Sequence, residues 1–285
     1  MLTEAQIEEV VDRALVEDLA WGDTTTESLI PGDQKGLASI AAKEEGILAG
    51  SDIAKKVFQR VDPTLRVVIS IADGAQISPG SIIARVEGNV ASILKAERVA
   101  LNFLQRLSGI ASETDRYVKA VEGLPVRIMD TRKTTPGLRS LEKYAVQVGG
   151  GQNHRMNLAD GILIKDNHLA ALHSRGLTLP DIVARARQAS KRLKIEVEAK
   201  TPQEADEGAE AGADIVMLDN MSLEDMRQAV KSIHGRALVE ASGGITLATV
   251  RAVAETGVDF ISVGALTHSV KALDISLELT SSSQQ

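Results

Sequence analysis

Between Asp130 and Arg155 the chain gathers residues that a folded core has little use for. The run Asp130-Thr-Arg-Lys-Thr-Thr-Pro-Gly-Leu-Arg139 is followed by Lys143-Tyr-Ala145, Gly149-Gly-Gly151 and Asn153-His-Arg155. Arg and Lys are almost never buried unpaired. A site that holds a ligand with several anionic groups does need cations at this density, guanidinium groups above all. Gly149-Gly-Gly151 costs conformational entropy unless backbone must bend or approach another segment closely.

Polar residues also mark the ends of the predicted strands: Asp130, Arg132 and Lys133; Lys165 and Asp166; Glu198 and Lys200; Asp219 and Asn220; Glu240, Ser242, Gly243 and Gly244; then Gly264. If these strands form a barrel, the side chains converge on one mouth. Cations fall early, carboxylates in the middle and glycines last, where barrels build phosphate sites from loop N–H groups. Ser242-Gly-Gly-Ile-Thr246 suits that role, and Glu198 and Asp219 suit Mg2+ beside a bound phosphate. Plainer readings stand beside these. Arg139 and Lys143 read as a solvated helix face, and Arg132 or Lys133 as a surface partner of Asp130. Glu196 and Glu198 alternate with Ile195 and Val197 as one polar strand face. Charges in a buried parallel strand need partners, which favours a functional Glu198. Lys165 follows the apolar run Gly161-Ile-Leu-Ile164, so a Schiff-base lysine is an open alternative, as is a non-catalytic binder of phosphorylated metabolites.

The composition restricts the field. A net charge of -7 argues against a broad nucleic-acid-binding face, whereas a local basic cluster in an acidic chain focuses a field on a small anion. There is no cysteine, hence no disulfide, thiolate metal site or Cys nucleophile. The five histidines form no H-x-x-x-H pair, against a zinc site. No apolar run is long enough to span a bilayer and the N-terminus does not read as a signal peptide, so a soluble cytoplasmic protein is expected.

The elements that must position these residues fall into two styles. Residues 3–18 predict a helix with Thr3 as N-cap. Short β-like runs over Leu37–Ala42, Leu65–Ile71, Gln76–Ile77 and Ile82–Val86 predict an antiparallel sheet, with a helix near Ile53–Arg60. A helix from Ala91 to Leu107 is expected to break at Ser108-Gly109 and resume to Glu122. After Leu124 strands alternate with helices: Val126–Met129, Gly161–Ile164, Lys194–Val197, Asp214–Leu218, Ala237–Val239 and Asp259–Val263. Amphipathic helices Leu179–Arg192, Pro202–Ala211, Leu223–Ser232 and Thr246–Glu255 lie between the later ones. Glu210-Ala-Gly-Ala-Asp-Ile-Val-Met-Leu-Asp219 echoes Glu255-Thr-Gly-Val-Asp-Phe-Ile-Ser-Val-Gly264. Repeating βα units of this kind predict a closed barrel, with an open doubly wound sheet as the alternative. No G-x-G-x-x-G or Walker A run follows a strand.

Taken in order, these segments closely resemble the quinolinate phosphoribosyltransferases. The matching runs are Glu97-Arg-Val-Ala-Leu-Asn102, Leu107-Ser-Gly-Ile-Ala111, Asp130–Leu138, Lys143-Tyr-Ala145, Gly149–Arg155, Ile164-Lys-Asp-Asn-His168, Asp219-Asn220, Glu240-Ala-Ser-Gly-Gly244 and Val263-Gly-Ala-Leu266. The resemblance implies an N-terminal α/β open-faced sandwich (1–108) and an incomplete α/β, TIM-like barrel (109–269), with 270–285 free to pack back on the first. It implies transfer of phosphoribosyl from phosphoribosyl pyrophosphate to quinolinate with decarboxylation, Mg2+ as cofactor, and a homodimer or larger assembly. A paralogue with another acceptor is the alternative. It places Arg132, His154, Arg155 and Lys165 around the dicarboxylate and sends Arg98 into the partner's site. Lys133 joins the phosphates, Glu198 and Asp219 the ribose and metal, and Ser242, Gly243, Gly244 and Gly264 the 5′-phosphate. Lys165, Glu198 and Asp219 are its catalytic residues. Ala199-Lys200 departs from the expected neutral pair and leaves Lys200 without a role.

Overall fold

The computed structural model describes residues 2–280. In chain order the first elements are α1 (Glu4–Leu19), α2 (Thr24–Leu29), β1 (Lys35–Ala42), β2 (Gly46–Ile47), α3 (Ser51–Val61), β3 (Arg66–Ile69), β4 (Gln76–Ile77), β5 (Ile82–Asn89) and α4 (Val90–Ala120). Then come β6 (Arg127–Met129), α5 (Arg139–Val148), β7 (Ile162–Ile164), α6 (Asp166–His173), α7 (Leu179–Ala189), β8 (Ile195–Ala199), α8 (Pro202–Glu210) and β9 (Ile215–Asp219). The last are α9 (Leu223–Ile233), β10 (Leu238–Ser242), α10 (Val250–Ala254), β11 (Phe260–Ser262), α11 (Ala265–His268) and β12 (Ile275–Thr280). They divide into two compact units. One comprises Met1–Asp115, Thr134–Gly150 and Thr267–Gln285; the other comprises Arg116–Lys133 and Gly151–Leu266.

In the first unit Thr3 caps α1 through a reciprocal capping box with Gln6. The antiparallel sheet runs β12-β1-β5-β3. Leu104 of α4 meets Ile40, Phe58 and Ile83 around a small cavity, which ties this helix to the sheet and to α3. Against expectation, α4 does not break at Ser108-Gly109. Ser108 is buried, and its Oγ donates to the Ala49 carbonyl and accepts the Ala49 N–H. A Cβ on Gly109 would strike the Lys271 carbonyl. The pair marks a close crossing of chain segments rather than a helix end. Gly149 allows a similar approach to α4 at Ala111 and Thr114. The reading of Lys143 as solvated is also corrected. Lys143 and Glu142 of α5 are fully buried, and Glu142 Oε1 takes Arg106 Nη2 at 2.8 Å.

The second unit is built on a parallel sheet in the order β6-β11-β10-β9-β8-β7. Its central strands are buried on both faces, as parallel strands flanked by helices must be. The edges β6 and β7 do not pair with each other, so the barrel is open there rather than closed. Gln152 makes an isolated parallel bridge to Met129 on the β6 side. The segment from Gln152 to Asp160 thus enters beside β6 and returns at β7. All six strands point the same way, and their C-terminal ends form one face.

Candidate active site

Four neighbouring strands end on polar residues at that face. Lys165 follows β7, and its Nζ lies 2.7 Å from Glu198 Oε2 on β8. The Glu198 side chain is buried, whereas that of Lys165 is about half exposed (47%). Asp219 closes β9, level with Ser242 at the end of β10, and Ser242 is level with Ser262 on β11. Gly243 and Gly244 both have positive φ (97° and 62°), turning the backbone sharply past β10. A Cβ at Gly243 would fall on the Asn220 amide, so only glycine fits there. Gly264 follows β11. Lys200, the departure from the expected pattern, has Nζ 2.7 Å from Asp166 Oδ2, both side chains exposed. That ion pair, together with the nearby carboxylates of Glu198 and Asp219, holds its amine above the usual lysine range.

Below Glu198 on the same strand face lies a second polar layer. His154 Nε2 is 3.1 Å from Glu196 Oε2 and 3.5 Å from Glu240 Oε2, and both carboxylates are buried. Asp130, fully buried, accepts the His154 N–H on Oδ1 at 2.8 Å. The Arg155 N–H points at His154 Nδ1 at 2.7 Å, and Arg155 Nη1 donates to the Gly161 carbonyl at 3.1 Å. Burial works against a charge on His154, but the carboxylates of Glu196 and Glu240 outweigh it and push its pKa up to about 10. The Arg155 contact opposes that, because a cationic ring has no lone pair at Nδ1. In either state Nε2 carries the hydrogen that faces Glu196. Burial raises the Glu196 carboxyl and lowers the Arg155 guanidinium from their ordinary values. His154, Arg155, Glu196 and Glu240 line one cavity of about 210 Å³.

Known proteins match this architecture along its length. The family model "Quinolinate phosphoribosyl transferase, N-terminal domain" matches residues 23–108, and its C-terminal counterpart matches residues 110–278. The chain belongs to the quinolinate phosphoribosyltransferase family. It is 45% identical over 280 residues to the "Probable nicotinate-nucleotide pyrophosphorylase [carboxylating]" of Bacillus subtilis, covering 98% of this chain and 95% of that protein. It is 43% identical over 289 residues to "Quinolinate phosphoribosyltransferase [decarboxylating] 2, mitochondrial" of Nicotiana glauca, covering 96% and 82%. The crystal structure of NadC from Streptococcus pyogenes superposes with a TM-score of 0.93 at 44% identity, covering 98% of each chain.

Within this quinolinate phosphoribosyltransferase fold, the residues singled out in the sequence fall into four groups. Lys165, Glu198, Asp219, Ser242, Gly243, Gly244 and Gly264 share the C-terminal face. His154 and Arg155 share the cavity beneath. Arg132 and Lys133 follow β6, the first half-buried and the second exposed. Arg98 lies in the other unit, exposed on α4. Asp130, read as a surface partner, is instead a buried acceptor for His154. Glu196 and Glu240 escaped notice as partners of His154. Their signal was present: each is an acidic residue inside a buried parallel strand, two residues before a strand-end polar group.

Proposed function

We propose that this chain performs its family's reaction at the C-terminal face of the barrel, with the roles that follow. Phosphoribosyl passes from phosphoribosyl pyrophosphate to quinolinate; the ring nitrogen becomes quaternary, and the adjacent carboxylate leaves as CO2. The products are nicotinate mononucleotide, pyrophosphate and CO2. The observation that carries this reading is the placement of Lys165, Glu198, Asp219 and Ser242 at the ends of four consecutive strands in a member of this family.

Arg132, His154, Arg155 and Lys165 receive the dicarboxylate, for which planar guanidinium groups are suited partners. Glu198 and Asp219 stand where an oxocarbenium-like ribose needs preorganised negative charge. Lys165 orients Glu198 through the 2.7 Å contact. Lys133 joins the pyrophosphate, and Ser242, Gly243, Gly244 and Gly264 the 5′-phosphate. Glu198 and Asp219 would hold Mg2+, which usually takes one or two carboxylates beside bound phosphate, and the bound ion would supply positive charge to offset that of the pyrophosphate. The protein acts in the cytoplasm as a homodimer or larger assembly, with Arg98 completing a partner's site. Its exposure on α4, without a polar partner among the described residues, supports that role.

Two substitutions test the assignment. Arg155→Ala and Lys165→Ala should each lower kcat/KM for quinolinate at least a hundredfold, with an unfolding temperature within a few degrees of wild type. Full activity in either variant would remove that residue from the mechanism.

A further inference from the structure

Glu240 is a charged group buried in a strand with little to compensate it. It sits mid-strand in β10 with its side chain 1% exposed. Its Oε2 meets His154 Nε2 at 3.5 Å, too far for a well-formed hydrogen bond, and its Oε1, like Glu196 Oε1 and Arg155 Nε, is buried without a hydrogen-bond partner. A carboxylate left so in a core is costly unless neighbouring charge compensates it. The neighbours are His154 and Arg155, which line the same cavity. Strand register and tilt fix where this happens. Glu240 and Glu198 are both register partners of Met217 of β9, from opposite sides. Because barrel strands tilt, register partners differ in height, and Glu240 and Glu196, which meet the same His154 Nε2, share the layer beneath the Lys165–Glu198 pair.

The segment that carries Arg155 has no regular structure of its own from Asn153 to Arg155. Contacts that hold it include Asp130 Oδ1 on the His154 N–H, the Glu196–Glu240 pair at Nε2, and Nδ1 on the Arg155 N–H. The imidazole thus links two strands of the barrel to the backbone of the next residue. Arg155 Nη1 donates to the Gly161 carbonyl, its Nε is buried without a partner, and the residue lines the cavity.

The geometry points to Glu240, with Glu196, as a positioning residue for the dicarboxylate end of the site: together they hold the Nε2–H of His154, and through that ring the backbone from which Arg155 projects. This rests on the assignment of Arg155 to quinolinate made above. Glu240→Gln keeps the shape and removes the charge. It should raise the KM for quinolinate about tenfold or more, while the KM for phosphoribosyl pyrophosphate stays within twofold. A quinolinate KM unchanged in Glu240→Gln but raised in Arg155→Ala would overturn the positioning role and leave the reading of Arg155 standing. Unchanged values in both variants would overturn both. If Glu240→Gln does not fold, wild-type protein labelled with 15N-histidine decides. A buried imidazole with a fixed Nε2 proton and an accepting Nδ1 supports the role; tautomers averaging on all five histidines contradict it.

Discussion

At the scale of single residues, side chains were legible in the sequence where chemistry demands an unusual type, and illegible where a distant partner decides. Lys165 after an apolar run and Gly243-Gly244 after a strand announce themselves. Lys143 does not. Its helix shows a polar pattern, and the Arg106–Glu142 pair that brings charge into the core joins residues 36 positions apart. Asp130 is similar: nothing near it in sequence reveals that it receives the N–H of His154, 24 positions on. Gly243 gives a prediction at this scale. Gly243→Ala would place a methyl on Asn220 in a left-handed conformation (φ 97°) that alanine resists. We expect the KM for phosphoribosyl pyrophosphate to rise at least tenfold with the KM for quinolinate within threefold, measured by steady-state kinetics. Equal loss for both substrates would place the turn outside the phosphate site.

At the scale of elements, the repeated βα pattern has a physical reason. In the two echoing segments an Asp opens the strand and reaches across to its neighbour. Asp214 Oδ2 accepts the Ile195 N–H, and Asp259 Oδ2 accepts the Val239 N–H, each at 2.8 Å. Each such carboxylate holds the base of one strand against the next, which keeps the far ends, and so the site, in register. Arg187 Nη2 adds an ion pair to Asp214 at 2.7 Å. Burial alone would raise the Asp214 pKa, but the Ile195 N–H and Arg187 outweigh it and hold the carboxyl below its ordinary value. A depressed folded-state value contributes stability above the unfolded pKa and loses it as pH falls through the folded one. Asp214→Asn should therefore cost about 1–2 kcal/mol at pH 7, and the deficit should shrink as pH drops below about 4. Urea unfolding at pH 7 and pH 3.5 measures this; an equal deficit at both would contradict it. Most barrel strands were legible from apolar runs of the right length. The edge strand β12 was not, because it is defined by pairing with β1 more than 230 residues away. The expected break in α4 failed for a related reason. Ser108 and Gly109 read locally as breakers, yet they serve contacts with Ala49 and Lys271. Likewise Thr246–Thr249 forms a turn instead of the first helical residues, leaving α10 short.

At the scale of the whole molecule, a chain of net charge -7 gathers its cations where two anionic substrates must meet. Among the described residues no helix is long and apolar enough to cross a membrane. If Arg98 completes the site of a partner, Arg98→Ala and Lys165→Ala should each be nearly inactive alone. Mixed under conditions that exchange subunits, they should recover up to about a quarter of wild-type activity, because random pairing gives half heterodimers with one intact site each. No recovery from a mixed dimer would place Arg98 in its own chain's site or in none. The central claim, that this barrel uses quinolinate and decarboxylates it, is tested most directly by one incubation. Purified protein, phosphoribosyl pyrophosphate and Mg2+ are supplied with quinolinate or, in parallel, with nicotinate, and nicotinate mononucleotide and CO2 are quantified. Equimolar nicotinate mononucleotide and CO2 from quinolinate, and no product from nicotinate, is the predicted result. Product from nicotinate alone, or from neither acceptor with a folded protein, would contradict it.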